Sequence, residues 1–425
     1  MRSLREQTRR QIIFLLLHVD TICPVSRLLI LMGNPDIVFG MTGDLYRNSR
    51  AIKQVRALAA QKWSVHVLHL GHSAPIIEWP PGVTTESLSM KSRRGVRFFR
   101  EVHQVFLKTA TNIKARCYHA SDLYVLPALA RAARRCDAVY TFDSRELYAH
   151  VSSTERRPWV GWFWSLVESQ YLPGATAVFT VSKQIAKHLE KEYRIHRPVL
   201  VQNVPPKTAV VRSTKLADLA GLDASTPIIL HMGSMRKARG CDLLIEAMEC
   251  VNGAHLVFLG CGPELENLQE QSQSLGLETK VTFLDPVEPD SIIEYAAGAS
   301  VGVSLLQDSC LNHRYALPNK LFDYLAAGVP VLSSDLPEIR SIVEGYNVGK
   351  TVDQKNPAKI AESLSQMIHA GAERETWIQN ADRFCETFNW ENASQRFITT
   401  FWHVLPRHSS EQKSFSESCE RTLST

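Results

Sequence analysis

A short stretch in the second half of the chain combines a helix start with an acidic side chain one turn later. Pro318 suits the first turn of a helix and Gly328 suits its end, so the segment between them predicts a helix that follows a loop. The free backbone N–H groups at Asn319 and Lys320 would form an anion site, which the helix dipole reinforces. Asp323 follows Asn319 by four residues, so its carboxylate would face the same ligand.

A carboxylate in this place suits phosphate poorly, but it can accept hydrogen bonds from two sugar hydroxyls. Phosphate at the helix tip and ribose at Asp323 would together make a nucleotide site. The alternative is an ordinary amphipathic helix with an aspartate on its surface. The segment alone does not decide between these two interpretations.

Short apolar runs alternate with segments of helical periodicity from residue 27 onward, and this alternation indicates parallel, doubly wound α/β sheets. The strands predicted in the first half are residues 28–32, 65–70, 138–142, 177–181 and 199–202. A polar stretch at residues 206–226 follows, and the pattern then restarts. The strands predicted in the second half are residues 228–232, 256–259, 281–284, 301–305 and 329–333. Two such halves predict two Rossmann-like domains that face each other across a cleft.

The segment that contains Asp323 resembles the donor-site signature of a large family, the retaining, GT-B-fold glycosyltransferases of group 1 (family 4). In that signature an acid and seven further residues precede a second acid, which lies in a helix that ends in Ala-Gly-x-Pro-Val. Asp323 matches the second acid, and the resemblance implies that it binds the ribose of a nucleotide-sugar donor. Tyr315 stands at the position of the first acid, so the chain lacks that carboxylate.

The loop after the predicted strand at 228–232 resembles a second element of the family, whose two basic residues neutralise the donor diphosphate. Its candidate residues here are Gly233, Ser234, Arg236, Lys237 and Arg239. Arg239 takes the position of the family's lysine, and Ser234 replaces the family's first arginine. A diphosphate leaving group needs cationic stabilisation, so Arg239 is the first candidate for catalysis. For Arg236 and Lys237 the alternative is a pair of solvated loop charges.

A glycine turn that includes Gly260 and Gly262 resembles a third family element, and we interpret it as lining the nucleotide pocket. A partial glycine pattern also occurs in dinucleotide-binding proteins. Leu265 stands where the third glycine of that pattern would be, which argues against a nicotinamide cofactor.

The first half resembles the family more loosely. Residues 34–50, which include Gly43, would form a loop between the first strand and the first helix, where the family keeps contacts to donor and acceptor. Asp143, Arg145 and Glu146 lie in a segment that resembles the family's Tyr-Asp-x-His-Glu, at the carboxyl end of a strand, where open α/β sheets bind ligands. Arg145 replaces the histidine. These three residues are candidate catalytic contacts, and the alternative is a structural ion pair.

The resemblance also implies that a C-terminal helix crosses back to the first domain. The predicted parts of the chain are an extension (1–26), an N-terminal acceptor domain (27–205), a linker (206–226), a C-terminal donor domain (227–385), a crossover helix (386–405) and a polar tail (406–425).

The implied reaction is transfer of a sugar from a nucleoside-diphosphate sugar to an acceptor hydroxyl, with retention, in the synthesis of a glycan, glycolipid or polysaccharide. Two alternatives stay open: a nucleotide-sugar epimerase of the same fold and a non-catalytic sugar-nucleotide-binding protein. No metal-ligand cluster is visible in the sequence, so neither a metal nor a cofactor is expected beside the donor substrate.

Composition and charge narrow the class of protein. Hydrophobic residues make up 44% and charged residues 21% of the chain, which is typical of a globular protein. A formal net charge of +5 is well below that of a dedicated nucleic-acid binder, so no nucleic-acid partner is expected. Nine cysteines without a CxxC pair favour reduced thiols and a cytoplasmic location.

Two segments could hold the protein at the inner face of a membrane. The stretch at 91–116 has eight basic residues and one acid, Glu101, which favours an anionic surface or a lipid-linked acceptor. Trp159, Trp162, Phe163 and Trp164 follow two arginines, a composition that suits a membrane interface. The alternatives are a solvated helix face for the first segment and a helix with one buried aromatic face for the second.

Overall fold

A computed structural model of the chain describes residues 34–71, 77–155, 157–209 and 211–405. The predicted extension at 1–26, the predicted strand at 28–32 and the polar tail at 406–425 lie outside these described residues. The chain forms two compact units, Met1–Thr141 and Phe142–Thr425. The domain boundaries drawn from the sequence follow the two sheets rather than these units, and they stay a prediction.

The first unit is built on parallel strands and three helices. Its strands are β1 (Ile37–Gly40), β2 (Val65–His69), β3 (Val83–Ser87) and β4 (Cys117–Ala120). Its helices are α1 (Ser49–Ala60), α2 (Gly95–Ile113) and α3 (Leu126–Arg135). The strands stand in the order β3-β2-β1-β4, and each neighbouring pair is parallel. All four residues of β1 are buried, as expected for a parallel strand covered on both faces.

Strand β5 (Val139–Ser144) begins in the first unit and ends in the second. The sheet order continues through it as β4-β5-β6-β7, with β6 at Ala177–Thr180 and β7 at Val199–Leu200. Three helices accompany these strands: α4 (Ser152–Glu155), α5 (Pro158–Tyr171) and α6 (Lys183–Tyr193).

The second unit also contains a complete six-stranded parallel sheet, in the order β10-β9-β8-β11-β12-β13. Its strands are β8 (Ile228–Met232), β9 (His255–Leu259), β10 (Val281–Leu284), β11 (Val301–Ser304), β12 (Val331–Ser334) and β13 (Gly349–Val352). The helices are α7 (Lys215–Ala220), α8 (Cys241–Ala247), α9 (Leu265–Ser274), α10 (Ile292–Ala296), α11 (Leu311–Arg314), α12 (Asn319–Ala326), α13 (Pro337–Val343), α14 (Pro357–Ile368), α15 (Ala372–Thr387) and α16 (Trp390–Val404). The predicted α/β class with two parallel sheets is confirmed.

One sequence prediction is wrong at the start of the described chain. The segment at 34–50 was expected to be a loop, but it contains strand β1 and the start of α1. The apolar run in β1 is too short to show a strand pattern by itself. Pairing with β2 on one side and β4 on the other buries it completely, and this tertiary context produces the strand.

Helix α16 returns to the first sheet, as the resemblance implied. The ring of Phe179 in β6 lies 4.9 Å from that of Phe397 and stacks on that of Phe401 at 5.9 Å. Arg396 on the same helix donates a hydrogen bond to the side chain of Gln202 over 2.8 Å. The apolar stripe of α16 is therefore buried against the end of the first sheet.

The side chain of Tyr324 attaches helix α12 to the second sheet, together with the buried apolar residues of the same helix. The hydroxyl of Tyr324 donates to the carbonyl of Leu230 over 2.8 Å and accepts from the amide of Met232 over 3.0 Å. A Cβ atom at Gly302 in β11 would lie 2.3 Å from the Tyr324 ring, so only glycine leaves room for it. These contacts hold the start of α12 at the carboxyl end of β8.

Candidate functional site

The start of α12 has backbone donors that its N-cap side chain does not satisfy. The N-cap residue is Pro318, which offers no side-chain hydrogen bond, and no acidic residue lies in the first turn. Asn319 is exposed and Lys320 is partly buried. Unsatisfied N–H groups and the positive end of the helix dipole make this tip suitable for an anion.

Lys320 adds a titratable cation to the helix tip. Its Nζ atom donates a hydrogen bond to Nε2 of His231, 3.1 Å away, and His231 is buried at the end of β8. Burial, together with the nearby Arg239 guanidinium, lowers the pKa of the Lys320 ammonium to about 7. Asp323 opposes this lowering, so its carboxylate acts on the same ammonium.

His231 is the neutral partner of this pair. Burial holds the pKa of its imidazole well below the ordinary value, with Lys320 and Arg239 adding to the effect. Its Nε2 atom also lies 3.4 Å from Sγ of Cys241. Since Nε2 accepts from the ammonium, the imidazole proton belongs on Nδ1. No local pattern in the sequence predicts this pair, because its members are 89 residues apart along the chain.

The loop after β8 packs backbone to backbone against the turn after β9. A Cβ atom at Gly260 would lie 2.2 Å from the carbonyl oxygen of Gly233, and one at Gly262 would lie 2.1 Å from that of Met235. Gly233 itself has a φ of +95°, which favours glycine. The turn is therefore tight, and close backbone packing by itself accounts for glycine at positions 260 and 262.

The cations of this loop differ in their surroundings. Arg239 is partly buried, whereas Arg236 and Lys237 are exposed. The Arg236 guanidinium donates to the hydroxyl of Ser234 over 2.9 Å. Burial lowers the pKa of Arg239, and the Glu146 carboxylate opposes that effect, which places Glu146 within electrostatic reach. Arg239 and Glu146, which are far apart in the sequence, thus interact electrostatically in the structure.

The other two charged candidates of the first sheet lie beside Glu146. Asp143 is buried at the carboxyl end of β5, Arg145 is partly buried, and Glu146 is exposed. The next amide, that of Leu147, donates to the side chain of Asn312 in α11 over 2.9 Å. This contact joins the segment to the loop between β11 and α12.

Further contacts of that loop had no sequence prediction. The amide of Gln307 donates to the carbonyl of Ala238 over 2.9 Å, and the hydroxyl of Ser182 donates to the carbonyl of Tyr315 over 2.8 Å. Tyr315, which stands at the position of the absent acid, thus contributes its backbone carbonyl to a structural hydrogen bond. Such long-range bonds leave no local pattern in the sequence.

Gly43 belongs to the first unit, and its contact with a donor stays a prediction. It has a φ of +99°, and its carbonyl accepts from the amide of Leu70 over 3.0 Å. The neighbouring Thr42 donates through both its amide and its hydroxyl to Asp122, over 2.6 and 2.9 Å. Asp122 is buried and holds the loop after β1, a role that the sequence analysis missed.

Within residues 34–71, 77–155, 157–209 and 211–405, no group of three or more His, Cys, Asp or Glu side chains could hold a metal ion. No helix in that same part of the chain is both long and apolar enough to cross a membrane.

Two family models match the chain over consecutive parts. The model described as "Glycosyl transferases group 1" matches residues 215–384, and the "Glycosyl transferase 4-like domain" matches residues 48–204. The first contains the loop after β8 and helix α12, and the second ends with the first sheet.

Curated relatives match the chain at low identity. It is 23% identical over 227 residues to D-inositol 3-phosphate glycosyltransferase of Acidothermus cellulolyticus, which covers 49% of either chain. It is 25% identical over 222 residues to phosphatidyl-myo-inositol mannosyltransferase of Mycobacterium leprae, covering 49% of this chain and 55% of the relative. The chain thus spans about half the length of the curated relatives that it matches.

Solved structures share the fold over nearly their whole length. Sucrose-phosphate synthase from Thermosynechococcus elongatus superposes with a TM-score of 0.72 at 16% identity, covering 87% of this chain and 98% of that one. HepE from Anabaena, solved in complex with UDP-glucose, gives a TM-score of 0.68 at 14% identity, covering 86% and 98%. At such identities the likeness shows the fold alone.

Proposed function

Because the chain belongs to the glycosyltransferase group 1 family, we propose that it transfers a sugar from a nucleoside-diphosphate sugar to an acceptor hydroxyl, with retention. The observation that carries this proposal is the arrangement at the start of α12. The helix tip there has no side-chain cap, and the Lys320 ammonium and the Asp323 carboxylate lie in the first two turns of the same helix.

The diphosphate would lie at the helix tip. Backbone donors at the start of α12 and the ammonium of Lys320 supply positive potential there. Arg239 lies close enough to Lys320 to lower the pKa of its ammonium, so both cations would act on the same anion. As the bond to the sugar breaks, the charge that develops on the diphosphate would be stabilised by these groups, with no metal required.

The ribose would lie at Asp323. A carboxylate accepts two hydrogen bonds in a geometry that fits neighbouring ribose hydroxyls. An aspartate is one methylene shorter than the family's glutamate. Restoring that glutamate by Asp323→Glu is therefore expected to keep donor binding, whereas Asp323→Ala is expected to abolish most of it.

The acceptor side would involve the end of β5. Asp143, Arg145 and Glu146 lie there, and Glu146 is exposed and within electrostatic reach of Arg239. We assign these residues to the acceptor hydroxyl or to the transferred sugar. The acceptor is a glycan or a lipid-linked saccharide in this proposal.

A thermal-shift screen tests donor binding. Common nucleotide sugars, among them UDP-glucose, GDP-mannose and UDP-N-acetylglucosamine, are added to the wild type, to Asp323→Ala and to the matched surface variant Asp382→Ala. One donor is expected to raise the melting temperature of the wild type and of Asp382→Ala, but not of Asp323→Ala. If no nucleotide sugar stabilises the wild type, the proposal fails.

Incubation of the bound donor with and without candidate acceptors then separates the possible reactions. A transferase releases the nucleoside diphosphate and joins the sugar to the acceptor. An epimerase converts the sugar with no acceptor present, and a non-catalytic binding protein does neither. NMR of the new anomeric centre reports whether configuration is retained.

A second proposal concerns a membrane surface, and the exposed side chains of α5 favour it. The exposed fractions are 66% for Trp159, 66% for Trp162, 49% for Phe163 and 45% for Leu166. Spacings of three and four residues place these four side chains along one stripe of the helix. The single acid of α5, Glu168, is buried, and the exposed Arg157 precedes the helix. Tryptophan with flanking arginine suits the interface of an anionic bilayer.

Helix α2 and the residues before it contribute exposed positive charge. Lys91, Arg93, Arg94, Arg97 and Arg100 are all exposed. By contrast, Val102 and Phe106 are buried in the core of the first unit, so they do not face a membrane. The basic residues of this segment therefore favour attraction of the first unit to an anionic surface, separately from the stripe of α5 in the second unit.

Vesicle co-sedimentation at low and high salt tests the membrane proposal. The wild type is expected to bind vesicles that contain phosphatidylglycerol, more at low salt, and to bind phosphatidylcholine vesicles weakly. Replacing both Trp159 and Trp162 by serine should reduce binding at either salt concentration. Leu219→Ser, at a residue 46% exposed on α7, is the control. Equal binding by the two variants would contradict a role for the stripe.

A further inference from the structure

The segment that runs from Gln307 into helix α11 links the two loops that carry Glu146 and Arg239. On one side the Asn312 side chain accepts from the amide of Leu147, the residue after Glu146, over 2.9 Å. On the other side the amide of Gln307 donates to the carbonyl of Ala238, the residue before Arg239, over 2.9 Å. The segment from Gln307 to Asn312 is therefore bonded to both loops.

The contact with the Arg239 loop is close. A Cβ atom at Gly240 would lie 2.6 Å from the carbonyl oxygen of Leu305 and 2.9 Å from the side-chain nitrogen of Gln307. Gly240 also has a φ of +66°, so both its conformation and its surroundings favour glycine. The side chain of Gln307 is held in turn by the carbonyls of Leu305 and Gln354. The segment before α11 is thus well fixed in place.

His313 follows Asn312 on this helix, and the contact of its Nδ1 atom with a backbone carbonyl indicates its tautomer. Its Nδ1 atom lies 3.2 Å from the carbonyl oxygen of Gln307 and 2.9 Å from the hydroxyl of Ser309. A carbonyl oxygen can only accept, so Nδ1 carries the proton. In the neutral ring the lone pair is then on Nε2, which makes no hydrogen bond to the described residues.

Burial is the main reason why the ring of His313 is neutral. Burial lowers the pKa of the imidazole, and Arg239 lowers it further, while the Gln307 carbonyl, Glu146 and Asp308 oppose them. The ring is therefore uncharged at neutral pH and lies within electrostatic reach of both Arg239 and Glu146. Nε2 of His313 consequently offers a hydrogen-bond acceptor, and not a donor.

We propose that Nε2 of His313 accepts a hydrogen bond from a hydroxyl of the sugar that the donor carries. This inference rests on the donor site proposed above. A phosphate ionised at neutral pH has no proton to give to an acceptor, whereas a sugar hydroxyl has one. The sugar is covalently attached to the diphosphate, and the segment that carries His313 is hydrogen-bonded to the loops of Arg239 and Glu146, so its acceptor is in the region that the sugar would enter. His313 then distinguishes the nucleotide sugar from the free nucleoside diphosphate.

Calorimetric titration without acceptor tests this role. The probes are UDP-glucose, GDP-mannose and UDP-N-acetylglucosamine, each paired with its free nucleoside diphosphate, and the pair used is the one that binds the wild type. His313→Asn keeps a donor for the Gln307 carbonyl but removes the acceptor at Nε2. His313→Gln places a carboxamide oxygen near the position of Nε2.

The two variants are expected to differ in their affinity for the nucleotide sugar. His313→Asn should weaken binding of the nucleotide sugar about five- to tenfold and change that of the free diphosphate less than about twofold. His313→Gln should restore most of the loss. If the role of His313 were merely structural, His313→Asn would weaken the binding of both ligands equally. This result would overturn the inference. Unchanged donor binding with a raised KM for the acceptor would overturn it as well.

The same titrations distinguish this inference from the proposed function. If the wild type binds neither ligand of any pair, the donor site fails and the role of His313 fails with it. If the wild type and His313→Asn bind both ligands alike, the donor site stands and the role of His313 alone is refuted. Asp323→Ala, which should weaken both ligands of a pair, is the comparison for a residue that contacts the nucleotide.

Discussion

The ammonium of Lys320 donates a hydrogen bond over 3.1 Å to Nε2 of His231, and this buried imidazole fixes the cation at the start of α12. Burial lowers the pKa of both groups, that of Lys320 to about 7. In the free protein Lys320 is therefore about half protonated at neutral pH. A bound diphosphate would favour the charged form and raise this pKa again.

Diphosphate binding should therefore take up a proton above pH 7. At pH 8 the free protein has a mostly neutral Lys320, and the complex has a charged one. Affinity for the nucleoside diphosphate should fall as pH rises above 7, by up to about tenfold per pH unit. Calorimetry at pH 8 in buffers of different ionisation enthalpy measures the proton uptake. Lys320→Met should bind more weakly and take up no proton; uptake equal to that of the wild type would contradict the assignment.

Arg239 is expected to act mainly on the chemical step. Arg239→Ala should lower kcat about 100- to 1000-fold, because the guanidinium would stabilise charge that develops as the diphosphate leaves. The matched variant is Lys237→Ala, which removes an exposed cation from the same loop. Steady-state kinetics at saturating donor compares the two. Similar losses in both variants would indicate a general electrostatic effect of the loop instead.

The Tyr324 hydroxyl should contribute to stability by holding α12 on the sheet. Tyr324→Phe leaves the Met232 amide and the Leu230 carbonyl without this partner, which should destabilise the protein by about 1–3 kcal/mol. Urea unfolding followed by circular dichroism measures the change. Tyr346→Phe is the control, since its side chain is 45% exposed. Equal stability of the two variants would contradict the anchoring role.

Glu168 should make stability depend on pH. Its carboxyl group is buried in α5, where it accepts a hydrogen bond from Tyr193 over 2.6 Å, and burial raises its pKa to about 7. A pKa raised in the folded state gives stability that is present below about pH 4.3 and is lost as pH rises through 7. Glu168→Gln, which keeps the acceptor, should therefore gain on the order of 2–3 kcal/mol relative to the wild type between pH 5 and pH 8.

Melting temperatures of the wild type, Glu168→Gln and the exposed-site control Glu270→Gln across this pH range test that expectation. The difference between the wild type and Glu168→Gln should widen with rising pH, and the control should follow the wild type. A constant difference would show that Glu168 is charged throughout, contrary to its burial.

The sequence was most informative where local signals mark an element. Pro318 and Gly328 predicted the start and end of α12 closely, because a proline and a glycine act on the backbone within one turn. The prediction that Asp323 faces the ligand at the helix tip followed from its spacing of four residues from Asn319. The parallel sheet of the second unit followed from apolar runs separated by helical patterns.

Contacts between distant segments were not predictable. His231 has the appearance of an ordinary strand residue, and its partner Lys320 follows 89 residues later. Asn312 and the amide of Leu147 are 165 residues apart. Strand β1 was not predicted for a related reason, since its buried environment comes from β2 and β4. In each case the fold, and not a local pattern, decides the role of the residue.

The most direct measurement of the central claim compares a nucleoside diphosphate with its 2′,3′-dideoxy form in the wild type and in Asp323→Ala. If Asp323 binds the ribose, removal of the hydroxyls should weaken binding to the wild type about 10- to 100-fold, as expected for hydrogen bonds to a charged group. In Asp323→Ala the two ligands should bind equally. An equal loss in both proteins would show that the ribose lies elsewhere and would contradict the proposed donor site.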